Sequence, residues 1–263
     1  MDFVKEFLET SKENGKITDT THEMYQRDFK DFKEFLGEKE WLDVSNEDIL
    51  KYIEELKKKY SDRSIYRKVS SLKSFYRYLL QKRIIDFMPM GEIELPKLQK
   101  APVRILELQE LNRVLEQCGD TFEGKRDSLV IRLLCETGLK INDILEIEKD
   151  TLETYEYKNI TATRGKRIYS EPISEKLGSD LKNYIEMLGN TEEKRVFGQL
   201  SRQGFRARFI SYGKKAGIKQ ITVHGLRHSH VSYLISKGLN AYEIAERIGD
   251  TVEMVFKVYG HMF

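Results

Sequence analysis

The chain has 263 residues, a hydrophobic fraction of 40% and a formal net charge of +2 at pH 7. This length and hydrophobic content permit one large domain or two smaller domains, each with a core. The positive and negative charges are nearly balanced, so the net charge does not indicate nucleic-acid binding. A surface that binds nucleic acid would require basic residues to be concentrated in one part of the chain.

The sequence predicts a soluble cytoplasmic protein. Its first residues are charged throughout and lack the apolar centre of a signal peptide, and no apolar run approaches the length that spans a bilayer. The two cysteines, Cys118 and Cys135, each lie in an apolar helical pattern. They are expected to be reduced core residues.

Residues 1–90 show helical periodicity without a strand pattern, which predicts a compact helical domain. Thr18 to Thr21 can cap a helix. Apolar residues spaced by three and four follow at Tyr25, Phe29, Phe32 and Leu36, and again at Ile65, Val69, Leu72, Tyr76 and Leu79. Prolines at 89, 96 and 102 then disfavour helix, so we expect an interdomain linker at 91–102.

The second of these helices carries a concentration of basic residues, with few acids nearby in the sequence. They are Arg63, Arg67, Lys68, Lys73, Arg77, Lys82 and Arg83. A solvated helix usually mixes both signs of charge, whereas a run of one sign is typical of a surface that faces phosphates. We therefore predict DNA contact through Arg63, Arg67, Lys68, Lys73 and Arg77; the alternative is a solvated face.

Residues 103–263 show a mixed pattern, which predicts a mainly helical domain with one small antiparallel sheet. Helices are expected at 107–118, 127–135, 174–188, 202–215, 225–237, 241–248 and 252–259. The segment 151–173 is rich in Thr, Tyr and Ile and has turn residues at 158–159 and 164–166, which predicts the sheet.

The last part of the chain holds four of its five histidines and begins with the run HGLRH at 224–228. A helix places His224 and Arg227 on one face, and a guanidinium can grip two phosphate oxygens at once. Tyr259, on a short amphipathic helix, offers a hydroxyl that could attack the held phosphorus. The structural alternatives are that Arg227 caps a neighbouring helix and that Tyr259 is a core aromatic residue.

These residues resemble the C-terminal signature of the tyrosine recombinases, or phage integrases. The likeness covers nearly the whole chain and is strongest to the short Xer-type enzymes. In that family an H-x-L-R-H helix precedes a turn that ends in His, and a nucleophilic Tyr follows nine residues later. Asp250 stands at this turn, and Tyr259 follows it by nine residues.

Two upstream segments resemble further family motifs. In 135–144, Lys140 takes the position of the first catalytic Arg and Asp143 the acidic position three residues on. The segment 163–172 resembles the β-hairpin that carries the catalytic lysine. Either Arg164 or Lys166 takes that place, and Arg164 and Arg167 are also expected to contact DNA.

The resemblance implies a two-domain DNA clamp. Residues 1–90 would form a SAM-like core-binding domain and residues 103–263 the catalytic domain. It further implies a site-specific recombinase that cleaves and rejoins DNA through a 3′-phosphotyrosyl intermediate, without a metal or other cofactor. Its expected partners are double-stranded DNA and other recombinase subunits, in a homo-tetramer or a mixed assembly.

Two departures from the family pattern bear on activity. Lys140 keeps the positive charge but loses the bidentate fork of an arginine, and Asp250 places a carboxylate where His or Trp is expected. Both would weaken contacts to a transition state that gathers negative charge. The alternative function is therefore a DNA-binding protein that keeps the fold without cutting, as a regulator or silent partner. A third possible function is that of a topoisomerase with related chemistry.

Overall fold

The computed structural model describes residues 2–91, 93, 104–164, 167–189 and 191–263, with no side chains for Arg164 and Arg167. The chain divides into two compact units, Met1–Ala101 and Pro102–Phe263. Most of the predicted linker, 91–102, lies outside the described residues. Across the described residues, no helix has the length and apolar character needed to cross a membrane.

In its described residues, the first unit is a bundle of four helices. They are α1 (Phe3–Glu13), α2 (Asp19–Leu36), α3 (Asn46–Lys57) and α4 (Asp62–Gln81), with a 3-10 turn at Trp41–Asp43. The Thr18 hydroxyl accepts a hydrogen bond from the Thr21 amide at 3.3 Å, which confirms the predicted cap of α2. The predicted apolar spacings on α2 and α4 form the faces that pack together.

Aromatic side chains fill the centre of this bundle. Phe29, Phe32 and Phe75 are almost completely buried. Trp41 packs edge-on against Phe29 and Phe75, with ring centroids 6.0 Å and 5.2 Å apart. Such edge-to-face pairs add to the free energy gained by burying the rings. The 3-10 turn that carries Trp41 is thereby anchored to the core.

A buried cluster of charges joins α2 to α4. The Asp28 side chain is 1% exposed, and its carboxylate accepts hydrogen bonds from Arg67 Nη2 at 2.8 Å and from Lys68 Nζ at 3.3 Å. Lys68 Nζ also donates to Asp31 at 2.5 Å. Few acidic residues lie near these cations in the sequence. In the folded structure, however, Asp28 and Asp31 of α2 lie next to Arg67 and Lys68. Lys68, predicted to face DNA, is buried in this cluster.

The second unit contains nine described helices and one described hairpin. The helices are α5 (Leu108–Glu116), α6 (Phe122–Thr137), α7 (Ile141–Leu145), α8 (Lys149–Thr154), α9 (Glu175–Leu188), α10 (Arg202–Lys215), α11 (Val223–Ser236), α12 (Ala241–Ile248) and α13 (Val252–Tyr259). Strands β1 (Asn159–Arg164) and β2 (Arg167–Pro172) pair antiparallel, with Asn159 opposite Pro172. The chain is thus mainly helical with one small antiparallel sheet, as predicted.

The prediction of sheet over 151–173 is wrong for its first residues. Residues 151–154 belong to α8, whose Leu152 is buried against the core. Glu156 and Tyr157 then adopt left-handed backbone angles, with φ of 51° and 58°, and redirect the chain into β1. The Thr and Tyr residues in this segment have a high strand propensity. They are nevertheless in or next to a helix, because the packing of Leu152 in the core overrides that propensity.

Two tight helix ends bring distant segments to one place. Helix α6 ends at Gly138, whose φ is 63°, and a Cβ there would lie 2.5 Å from Cδ2 of His230. Helix α12 ends at Gly249, whose φ is 61°. Glycine adopts this left-handed conformation readily, so each helix stops sharply and the next residues turn back. Lys140 and Asp250 follow these two turns.

The buried apolar residues of the second unit form two groups. The larger group includes α6 and α9 and continues into the first turn of α11. The smaller group joins the second half of α11 to α12 and α13, and we call it the C-terminal cluster. It consists of Val231, Leu234, Ala241, Ile244, Ala245, Ile248, Val255 and Tyr259. Tyr259 is therefore a core aromatic residue of this cluster.

We expect Asp28→Asn to lower the free energy of unfolding of the first unit by about 3 kcal/mol, because two cations lose the charge of a buried partner. Trp41 is the single tryptophan of the chain, so its fluorescence during urea unfolding reports on this unit. Glu34→Gln is the matched control, since the Glu34 side chain is 67% exposed. Equal effects of the two changes would contradict the prediction.

Candidate functional site

A cleft of about 610 Å³ lies in the second unit between the end of α6, the first turn of α10 and the start of α11. Three of the predicted residues line it: Lys140, His224 and Arg227. Arg202 and Arg206 of α10 line it as well, although neither residue was predicted from the sequence. Their signal in the sequence is a pair of arginines four positions apart, one turn of a helix. The cleft is consequently rich in cationic side chains.

Arg227 is the buried centre of this site, with a side chain that is 3% exposed. Its Nη1 donates to the carbonyl oxygens of Gly138 at 2.6 Å and Ile248 at 2.7 Å. Its Nη2 donates to Oδ2 of Asp250 at 2.9 Å. The guanidinium thus ties the ends of α6 and α12 to α11, and it forms an ion pair with the carboxylate of Asp250.

Lys140 is exposed at the entrance of the cleft. The backbone amide of Lys140 donates to Oδ2 of Asp143 at 2.8 Å, in the first turn of α7. This bond fixes the turn between α6 and α7 because the carboxylate satisfies an amide at the helix start. Asp143 therefore positions the backbone that carries Lys140.

Tyr259 is 4% exposed, and its hydroxyl lies 2.5 Å from Nδ1 of His228. The rings of His228 and His224 are in turn 4.6 Å apart in an edge-on arrangement. His228 is not among the site residues predicted from the sequence. Its signal was present, since His224 and His228 are four positions apart and share one face of α11.

Burial and positive charge set the protonation of these groups. Burial lowers the pKa of His228 to about 4, and the nearby His224 and Arg227 act in the same direction. Desolvation of the packed part of the His224 ring, with Arg227 and Lys140, also lowers the pKa of His224. Burial raises the pKa of Tyr259 to about 12. Near neutral pH, the phenol keeps its proton and His228 is uncharged.

The basic hairpin can be placed only by its backbone. Arg164 and Arg167 are opposite each other at the ends of β1 and β2. Lys166 lies outside the described residues, and the side chains of the two arginines are not described. The predicted roles of these three residues stay predictions.

The predicted DNA-contacting residues of α4 fall into two sets. Arg63 and Arg77 are exposed and Lys73 is half-buried. Spacings of ten and four positions place the three near one face of the helix. Arg67 and Lys68 point instead towards the carboxylates of α2. We call the first set the α4 strip.

No group of three or more His, Cys, Asp or Glu side chains suited to a metal ion occurs in the part of the chain that the structure describes. The described side chains of the site include cations, two neighbouring histidines and a tyrosine hydroxyl. Together they could bind an anion and move a proton.

Comparison with solved structures places this fold among integrases. The Tn1549 transposon integrase, in complex with circular intermediate DNA, matches with a TM-score of 0.77 at 19% identity, over 98% of this chain and 95% of that one. A lambda integrase tetramer bound to a Holliday junction matches with a TM-score of 0.75 at 15% identity, over 95% and 73%. At these identities the matches show the fold.

Sequence comparison shows the family. The model of the phage integrase family matches residues 104–263, and that of the phage integrase N-terminal SAM-like domain matches residues 4–83. A tyrosine recombinase of Pseudothermotoga lettingae is 31% identical over 257 residues, which cover 94% of this chain and 89% of that protein. XerD of Rickettsia bellii is 27% identical over 288 residues, which cover 100% and 94%. This chain therefore belongs to the phage integrase family of tyrosine recombinases.

Proposed function

We propose that the protein is a site-specific DNA recombinase that cleaves and rejoins strands through a 3′-phosphotyrosyl intermediate. The observation that carries the proposal is the position of Tyr259, whose hydroxyl contacts His228 beside the cationic cleft of Arg227 and His224. A phosphotyrosine keeps the energy of the broken phosphodiester, so the strand is rejoined without an added energy source. Tyrosine recombinases of full-length similarity support this reaction class.

The charges of the cleft suit a phosphoryl transfer. Negative charge builds on the non-bridging oxygens as the tyrosine oxygen attacks, and fixed cations stabilise it. Arg227 holds the phosphate in this proposal, with His224 and Lys140 as further donors. Asp143 acts indirectly, because it fixes the turn that carries Lys140.

The leaving 5′ oxygen requires a proton, since an alkoxide is a poor leaving group. We assign this role to the β-hairpin, through Lys166 or Arg164. In the sequence, Arg164 is the last residue of β1 and Lys166 directly precedes the first residue of β2. The assignment rests on the resemblance of segment 163–172 to the family hairpin.

DNA binding is proposed for both units. The α4 strip provides phosphate contacts in the first unit, and Arg202 and Arg206 extend the cationic lining of the cleft in the second. Recombination joins strands from two duplexes, so several subunits must act together. The tetramer in the lambda integrase structure supports such an assembly, of identical or mixed subunits.

A second candidate function is DNA binding without cleavage. The ion pair between Arg227 and Asp250 favours this function. A phosphate from DNA would have to compete with the Asp250 carboxylate, which belongs to the protein itself, for the Arg227 guanidinium. Lys140 favours it as well, since an ammonium cannot form the two parallel hydrogen bonds of a guanidinium. In this candidate the chain would occupy recombination sites as a regulator or as an inactive subunit.

We expect the protein to form a covalent adduct with a nicked suicide substrate bearing its native site, and Tyr259→Phe to form none. The change removes the attacking hydroxyl and leaves the ring in the C-terminal cluster. Denaturing gel electrophoresis detects the adduct. Tyr242→Phe is the control, because Tyr242 is 62% exposed on α12 and should retain activity. Binding without any wild-type adduct would favour the non-cutting candidate.

The double change Lys140→Arg and Asp250→His should raise the cleavage rate about a hundredfold, a typical contribution of one donor to a developing oxyanion. Lys140→Arg provides a guanidinium that can form two parallel hydrogen bonds to the phosphate. Asp250→His removes the carboxylate that accepts the hydrogen bond from Arg227 Nη2. Single-turnover adduct formation measures the rate. Glu253→His, an exposed change in the first turn of α13, is the control. If the double variant binds the DNA site but forms no adduct, the proposal that these two residues limit activity is contradicted.

Charge reversal at Lys73 and Arg77 should weaken DNA binding on all sequences alike, because the α4 strip faces phosphates in this proposal. Each lost phosphate contact should reduce the slope of log affinity against log salt by about 0.9. Fluorescence anisotropy at several salt concentrations measures both effects. Lys51→Glu on α3 is the control, since the Lys51 side chain is 61% exposed and pairs with Glu47. An unchanged salt slope would count against DNA contact by α4.

A further inference from the structure

The function proposed above assigns no chemical role to His228, although His228 contacts the hydroxyl of Tyr259. The two residues lie on α11 and α13, and Nδ1 of His228 is 2.5 Å from the hydroxyl of Tyr259. The charged and titratable groups that face this pair are His224 and Arg227 on α11 and Asp250 after α12. Among the described residues, His228 is the side chain in hydrogen-bond contact with the hydroxyl.

The attack by Tyr259 requires that its proton be removed. Burial raises the pKa of Tyr259 to about 12, so the hydroxyl is protonated near neutral pH. A neutral phenol is a weak nucleophile, and its proton must leave as the bond to phosphorus forms. Asp250 is an unsuitable acceptor in this arrangement, because its carboxylate is bound to Arg227.

His228 has the properties of an acceptor. Burial, with His224 and Arg227, lowers its pKa to about 4, so a ring nitrogen carries a lone pair near neutral pH. A phosphate that enters the cleft adds negative charge next to the cations that depress this pKa. The imidazole therefore becomes more basic when the substrate is in place.

We propose that His228 is a catalytic residue that accepts the proton of Tyr259 during strand cleavage. The proposal rests on the recombinase function proposed above. The O–H bond of Tyr259 breaks, its proton moves to Nδ1 of His228, and its oxygen bonds to phosphorus. The bond from phosphorus to the 5′ oxygen breaks, and that oxygen takes a proton from the hairpin donor or from water. Rejoining reverses each step, so no proton is gained or lost over the cycle.

The tautomer of His228 tests the proposal without DNA. Nδ1 can accept the phenol proton only if the ring proton is on Nε2. We expect ¹⁵N NMR of the full chain with labelled histidine to show this tautomer, with the resonances assigned by their loss in His228→Gln. A ring proton on Nδ1 would overturn the proposal.

Cleavage kinetics test the same step. Glutamine can accept the hydrogen bond from Tyr259 but cannot carry its proton, so His228→Gln should slow adduct formation about a hundredfold, the lower end of general-base effects. Replacement of Tyr259 by a fluorinated tyrosine of lower pKa should restore part of this rate in the variant and change the wild-type rate less. A purely structural role would give no such rescue. His261→Gln, at an exposed histidine two residues after Tyr259, is the matched control.

A substrate with sulfur in place of the bridging 5′ oxygen separates the two proton transfers, because a thiolate leaves without an acid. The defect of His228→Gln should persist on this substrate, whereas the defect of a hairpin variant, Lys166→Ala or Arg164→Ala, should disappear for the residue that supplies the acid. Rescue of His228→Gln by sulfur, or a variant rate within threefold of wild type, would overturn the proposal. A wild-type chain that forms no adduct on any substrate would instead contradict the proposed function, and the tautomer would still decide whether His228 can accept the proton.

Discussion

The arrangement of the site depends on the burial of one guanidinium. Arg227 is almost inaccessible to solvent, and its Nη1 donates to the carbonyl oxygens at the ends of α6 and α12. A buried charge is tolerated only where its hydrogen bonds are made, so these two helix ends must stay in place around it. The same constraint positions Lys140 and Asp250, which follow those ends.

Much of the second unit was predictable because its local signals agree with its packing. Helices α12 and α13 have the predicted bounds, since Asn240 and Thr251 cap their first turns and apolar residues recur along one face. Helix α8 was not predicted, because the packing of Leu152 prevails over the strand propensity of its neighbours. Lys68 was misjudged for a similar reason. Its carboxylate partners lie about forty positions away in the chain, beyond any local pattern.

The resemblance of two sequence segments to family motifs implied that Lys140, His224 and Arg227 would meet, and the structure brings them to one cleft. The ion pair from Arg227 to Asp250 and the contact from His228 to Tyr259 could not be read from the sequence. Both depend on how α12 and α13 turn back on α11, which side-chain periodicity along one helix does not encode. The motifs therefore predicted which residues lie close together, but they did not predict which side chain each residue contacts.

The C-terminal cluster gives Tyr259 a degree of thermodynamic independence. It buries eight residues from the end of α11, from α12 and from α13, apart from the larger core around α6. Segments with a small core of their own open at a lower free-energy cost than the whole domain. We therefore expect α13, which follows the end of α12 that Arg227 holds, to open at a lower free-energy cost than the main core. Such a local equilibrium would let the exposure of the Tyr259 hydroxyl vary while the larger core around α6 stays folded.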